Sequence, residues 1–408
     1  MRGIAIAMPS MWRYLRPTLE NNLWKMAAIR LFYWMHFFAS VLVPFFRDWG
    51  GLSYTAIFLL NAWFMFCSFL FEIPTGTVAD RFGRKTSLVL GCLVVMAGAL
   101  VYASTPYFWV FVCGEVLFAL SFTLMSGADE ALVYDTLTQL GRAEEAPRRY
   151  ARLESFKLAG IVSGALCGSV IAAHLGLRAP MLLQTLPCGL AGLLALTLRE
   201  PRAGDGKREP RPYVQLLRSG VTYFRTHPVL RVLALDMIGS ATMVWLIIWV
   251  YQPQLERAGI DIAYYGAVHA AMCLGQIALL SNIERVEAVI GSRPRYLLIS
   301  ALLPGCAYLA LGWTTHVVPV LLAIVVAATF GLSRPVLFLS YMNKHIPSEQ
   351  RATVLSTISM LRTLAAALIN PISGWLLDWS MPTALTIFGL TALAVAVITR
   401  VEEQHLTN

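Results

Sequence analysis

Arg30, Glu115, Asp129, Glu130, Asp236, His269 and Arg334 all stand within or at the ends of long apolar runs. A charge held at the centre of a membrane helix costs roughly 2.5–3.5 kcal/mol or more, so the groups that persist there tend to face a cavity and serve a pathway. Glu115 and Asp129 are 14 residues apart. On one continuous helix that spacing leaves them about 40° apart in rotation and about 21 Å apart along the axis. Phe118, Phe122 and Met125 fill the stripe between them, a surface suited to an amphiphilic or aromatic solute, although helix packing would use the same residue types. A carboxylate at the edge of such a cavity can bind a proton on one side and release it on the other. Glu115 is the first candidate for that role and Asp129, with Glu130 beside it, the second. The alternative is structural: an ion pair of Glu115 with Arg30, or of Asp129 with Arg142 or Lys157.

Other residues extend the candidate cavity. Arg30 shares a predicted helix face with Trp34 and Phe37, where it would meet an anionic substrate group. His269 and Gln276 share a face with Met272 and Cys273, so His269 would titrate near neutral pH if it borders water. Arg334 precedes Pro335, which opens the local hydrogen-bond ladder where a helix bends. Asp236, and Arg362 with Asn370, complete the polar set. Trp245 and Trp249 lie one turn apart and read as lipid anchors.

The elements that must position these groups are membrane helices. The chain has 408 residues, 57% hydrophobic and only 13% charged, against about 25% charged in soluble domains. Apolar stretches of about 20 residues, enough to cross roughly 30 Å of hydrocarbon, are predicted near 27–46, 54–75, 86–104, 107–128, 154–174, 180–198, 229–252, 262–282, 295–313, 317–340, 352–377 and 380–399. The expected fold is therefore all-α and integral to the membrane, twelve spans in two halves. Residues 1–26 form an N-terminal segment, 27–198 one six-helix half, 199–228 a polar linker, 229–399 the second half and 400–408 a tail.

Of 32 Lys and Arg residues, 24 fall in the even-numbered connections and tails, and only Arg47, Arg178 and Arg257 on the other side. This asymmetry places both termini in the cytoplasm. It also accounts for the net charge of +9 without nucleic acid as a partner. The seven cysteines all lie in apolar runs with no ligand-type spacing, and read as small core hydrophobes; no metal site is expected. Phosphate loops, zinc-protease and nucleophile-elbow motifs are absent, which argues against ATP-driven transport and against an enzyme.

Between the second and third spans runs Gly76-Thr-Val-Ala-Asp80-Arg81-Phe-Gly83-Arg84-Lys85. Gly76 allows close helix approach, Gly83 allows a tight turn, Asp80 can face a helix N-terminus, and the basic residues suit an anionic leaflet. The segment resembles the signature loop of the major facilitator superfamily at every defined position. The resemblance implies two six-helix halves that rock about a central cavity, with Asp80 as the acid of a cytoplasmic latch. Phe71-Glu72-Ile73-Pro74-Thr75 and the segment Ser126 to Asp135 are similar to bacterial drug and metabolite exporters. Two features depart from proton-coupled exporters: Gly114-Glu115 stands where they carry an arginine, and Gly160, Gly164 and Gly168 recur without the proline of their fifth helix.

The reading is a monomeric transporter of the bacterial cytoplasmic membrane. It exports a small organic solute by alternating access, without a cofactor, driven by proton entry and the proton motive force. Uptake by proton symport or facilitated diffusion is the second reading; an intramembrane enzyme or sensor is the third.

Overall fold

The computed structural model describes residues 16–201, 227–346 and 348–399. Most of the predicted N-terminal segment, linker and tail lie outside these residues. Among them, eleven helical stretches are long and apolar enough to cross a membrane. The predicted first span is not among them, because its helix ends at Tyr33; the count approximates the predicted twelve.

In chain order the helices are α1 (Leu19–Tyr33), α2 (Tyr54–Phe82), α3 (Arg84–Tyr102), α4 (Phe108–Met125), α5 (Ala128–Gln139), α6 (Ala146–Leu175), α7 (Arg178–Leu183), α8 (Thr185–Leu196), α9 (Pro228–Trp245), α10 (Ile247–Arg257), α11 (Tyr265–Ser281), α12 (Ile283–Ile290), α13 (Arg293–Trp313), α14 (Val317–His345), α15 (Ser348–Trp379) and α16 (Met381–Ile398). Four predicted spans are not continuous: the sixth and seventh are interrupted at single residues, Gln184 and Leu246, and the first and fourth break more deeply. The first leaves helical geometry after Tyr33 and resumes as a short helix, Leu42–Pro44, and a wide π-type turn, Phe45–Trp49. The fourth breaks at Ser126 and Gly127, where Gly127 has φ +75°, a conformation that side-chain-bearing residues disfavour.

Backbone freed inside a membrane must find partners within the protein. Two buried glutamines supply them to the first span. Gln184 accepts from the Phe37 N–H at 2.8 Å. Gln252 accepts from the Val43 N–H at 2.8 Å and donates to the Ala39 carbonyl at 3.0 Å.

The chain clusters into two compact units. The first comprises the described parts of Met1–Phe38, Phe66–Gly164 and Arg178–Arg208; the second those of Ala39–Met65, Ala165–Leu177 and Glu209–Asn408. This grouping differs from the predicted halves, because residues 39–65 and 165–177 cluster with the later helices. In the first unit Met26, Ile29, Leu88, Cys92, Leu132 and Cys188 centre a core built from α1, α3, α5 and α8. Glycines let α6 press against the unwound first span: Gly160 meets the Leu31 carbonyl, and a Cβ on Gly164 would lie 2.6 Å from the His36 nitrogen. In the second unit Leu233, Tyr296, Phe338 and Met342 centre the core where α9, α13 and α14 meet.

Some sequence expectations are corrected by this packing. Trp249 is buried, with its ring 5.8 Å from Phe58, and does not act as a lipid anchor; the break at Leu246 places it and Trp245 on different helices. Cys113, Cys167 and Cys306 are exposed on the helix bundle surface and not in its core.

Candidate functional site

In the first unit the charged centre is Arg30, in the last turn of α1 and only 7% exposed. Its Nε lies 2.9 Å from Asp129 Oδ2, and its Nη2 donates to Glu130 Oε1 at 3.2 Å. The two acids open α5 immediately after the Gly127 break. There the positive end of the helix favours negative charge, and the Glu130 N–H donates to Asp129 Oδ1 at 2.7 Å. Asp129 is buried, whereas the Glu130 side chain is 56% exposed. One cation thus serves two acids, one enclosed and one reaching outward.

The predicted alternative pairings are replaced. Arg30 does not pair with Glu115, Arg142 pairs with Glu145 at 2.6 Å, and Lys157 with Glu154 at 3.1 Å. Chain separation hides the Arg30–Asp129 pair from any local pattern. The break at Gly127 also removes the premise that Glu115 and Asp129 lie on one continuous helix face. Glu115 is buried on α4, hydrogen-bonded with Tyr102 and near Cys67; among the described residues no arginine or lysine forms an ion pair with it.

Beside the Arg30 centre runs a row of rings. Trp34 meets Phe122 edge-on at 6.4 Å and His36 at 5.5 Å; His36 stacks on Phe38 at 5.1 Å; Phe38 meets Phe118 at 5.5 Å. The Lys157 ammonium sits 4.8 Å from the Trp34 ring, within cation–π range. Phe122 is 38% exposed, and Trp34, His36, Phe38 and Phe118 are half-buried. His36 and Phe38 were missed by the helical-face argument because the helix stops at Tyr33. For the same reason Phe37 does not share a helical face with Arg30. Met125 leaves the row altogether and packs against Gly91 of α3.

The signature loop is built locally. Gly83 has φ +93° and precedes α3, whose first free N–H groups, on Arg84 and Lys85, donate to the Glu200 carboxylate at 2.7 and 2.8 Å. The Arg84 guanidinium pairs with Asp135 and donates to the Ala131 carbonyl, tying the loop to α5. Arg81 lies over the Phe82 ring at 5.6 Å. Nothing lies within 4 Å of where a Gly76 Cβ would stand, so close helix approach is not its role here. Asp80, the expected latch acid, is exposed and forms no hydrogen bond or ion pair among the described residues.

The second unit holds a different polar set. Arg334 on α14 is fully buried and pairs with Asp236 on α9. It also donates to Ser300 Oγ at 2.7 Å and to the Leu297 carbonyl, with the Phe338 ring 5.1 Å away. Expected as a cavity residue, Arg334 lines a small cavity with Ser240 and Met243 and also acts as an internal staple between α9, α13 and α14. His269 Nδ1 lies 3.0 Å from the Tyr251 hydroxyl, and Gln276 donates to the Leu332 carbonyl at 3.0 Å. Both are committed to internal partners.

Among the described residues, eleven membrane-length helical stretches with broken spans and enclosed charge pairs have the construction of a solute transporter, in which irregular backbone at membrane depth marks the working region. The sequence model of the Major Facilitator Superfamily matches residues 26–370, and the chain belongs to that family of membrane transporters. It is 22% identical over 320 residues to the class C tetracycline resistance protein of Escherichia coli, covering 76% of each chain. To the class H tetracycline resistance protein of Pasteurella multocida it is 21% identical over 357 residues, covering 83% of this chain and 84% of that one. Among solved structures, the nucleoside transporter NupG superposes with a TM-score of 0.76 at 11% identity, over 94% of this chain and 98% of that one. A POT family transporter in complex with a thioalcohol-conjugated peptide gives 0.73 at 15% identity, over 97% and 99%. At these identities the structural likenesses establish the fold alone.

Proposed function

We propose that this transporter exports a small amphiphilic or aromatic solute in exchange for protons, and that Asp129 with Glu130 is its proton-binding centre. The observation that carries the reading is the sharing of Arg30 between the two acids. With both ionised, the three side chains carry a formal charge of −1; binding one proton brings them to zero and still leaves Arg30 a carboxylate partner. A buried arginine with a single acid has no such freedom, because protonating that acid strands the cation.

The row from Trp34 to Phe118 lies next to this centre and offers flat apolar surface for a ring-bearing solute. The likeness to two tetracycline resistance proteins supports a drug-like solute as the substrate class. Glu115 keeps a supporting place in the reading as a second enclosed carboxylate. The protein works as a monomer in a bacterial cytoplasmic membrane, with its termini in the cytoplasm, no cofactor, and the proton motive force as energy source. A proton crossing with the field releases about 2.3 kcal/mol per 100 mV, enough to bias a solute gradient several tens of fold.

The test is internal pH in proteoliposomes challenged with a panel of amphiphilic drugs, organic acids and small metabolites. Solute-dependent proton movement that is lost in Asp129→Asn, with solute binding retained, is the expected result. Solute flux without proton movement would overturn the coupling and leave facilitated diffusion. Loss on Glu115→Gln with Asp129→Asn unaffected would move the proton site to Glu115.

A further inference from the structure

Within the second unit, the first turns of α2 and the last turns of α15 are joined by contacts that no part of the proposed transport site uses. The Asp378 carboxylate accepts from the Tyr54 N–H at 2.8 Å, the Thr55 N–H at 2.8 Å and the Thr55 hydroxyl at 2.6 Å. One turn farther along, Gly374 lies against α2 so closely that a Cβ would stand 2.7 Å from the Tyr54 carbonyl oxygen and 3.0 Å from Phe58 Cβ. A turn beyond that, the buried Asn370 amide donates to Asn61 at 2.6 Å. Residues 54/55, 58 and 61 on one helix therefore meet 378, 374 and 370 on the other, in steps of three to four along two antiparallel helices.

The electrostatics of this contact are one-sided. Asp378 sits in the last turn of α15, where the helix's own dipole disfavours an acid. It is well placed only for α2, whose first N–H groups have no intrahelical acceptor and whose positive end attracts a carboxylate. Charge-assisted hydrogen bonds of this kind are about twice as strong as neutral ones. Apart, the Asp378 and Asn370 groups lose their partners, and Asp378 is left at an unfavourable helix end. The contact is thus strong when made and specific to one arrangement.

From this geometry we infer that Asp378, with Gly374 and Asn370, is a releasable lock that closes the end of the transporter bearing few basic residues. Its strength sets how often that end opens. The inference rests on the alternating-access reading, since α2 and α15 come from different sequence halves and must part when the access side changes. Its test, however, needs neither a substrate nor proton coupling.

In a cysteine-free background, two reporters are labelled separately with a hydrophilic maleimide in detergent. Ser373→Cys is buried beside the contact, and Ser126→Cys is exposed at the α4–α5 break. Adding Asp378→Asn is expected to speed labelling at position 373 by about tenfold or more and to slow it at position 126, because the two ends open alternately. Thr55→Val, which removes the hydroxyl and keeps both backbone bonds, should give a smaller change in the same directions and covers the case in which Asp378→Asn fails to fold. Unchanged labelling at position 373 in both variants would overturn the lock. Faster labelling at 373 with none lost at 126 would also overturn it, since that pattern is fraying of a helix end. If the lock holds while solute-driven proton movement is absent, only the coupling in the proposed function fails.

Discussion

Each unit of the protein encloses one arginine–aspartate pair, and the two pairs occupy corresponding places with the charges exchanged. Arg30 of the first crossing meets Asp129 of the fourth, while Asp236 of the seventh meets Arg334 of the tenth. Burial of the pairs themselves hardly differs, with side-chain exposures of 8% and 6% against 1% and 5%. What differs is the third partner. Arg334 spends its Nη1 on neutral, enclosed acceptors, Ser300 and the Leu297 carbonyl. Arg30 has a second carboxylate, Glu130, that reaches outward from the start of a helix. A charge pair with only neutral neighbours is a fixed staple; one with a spare acid can change its protonation without stranding its cation.

The largest expected effect breaks the staple. Arg334→Met leaves Asp236 buried without its cation and should cost about 3–5 kcal/mol of stability, read as a fall in thermal melting temperature in detergent. The double variant Arg334→Met with Asp236→Leu should recover most of that loss. A stable Arg334→Met protein that had lost only transport would reverse the roles assigned to the two pairs.

Asp129→Asn should act the other way round. Arg30 keeps Glu130, so stability should fall by only about 1–2 kcal/mol, while solute-driven proton movement disappears from proteoliposomes. Glu130→Gln leaves Arg30 with Asp129 alone, so protonating that acid would strand the cation and the movement should be largely lost as well; unchanged movement would overturn the shared-arginine mechanism. Gly127→Ala forces a side chain into a φ of +75° and should cost about 1–2 kcal/mol, measured by melting, with proton movement reduced as α5 shifts. The smallest effect is expected for Ser300→Ala, about 1 kcal/mol with transport unchanged, since it removes one neutral partner from the staple.

Much of this architecture is legible in the chain itself, as particular residues show. The apolar runs and the bias in Lys and Arg placement predict the crossings, because lipid imposes length and hydrophobicity locally. Gly83 marks a tight turn that the backbone indeed makes with positive φ, and Gly160 and Gly164 mark a close helix approach. The ionisable residues worth attention are also visible, because a charge within an apolar run is conspicuous wherever its partner lies.

Their partners are not visible. Nothing near Arg30 in sequence announces Asp129, and the helical-face argument for Glu115, Met125 and Asp129 fails because Gly127 breaks the helix. The first span reads as one apolar helix, yet it unwinds after Tyr33 because Gln184 and Gln252, far along the chain, satisfy its freed backbone groups. The sequence by itself determined which residues enter the membrane and which charges must be accommodated there, since both follow from the cost of burying polar groups in lipid. Tertiary structure alone decided which acid each arginine keeps, where the helices stop, and that Arg334 is a staple while Arg30 serves two acids. Those outcomes depend on groups brought within 3–4 Å by packing, and no local spacing encodes them.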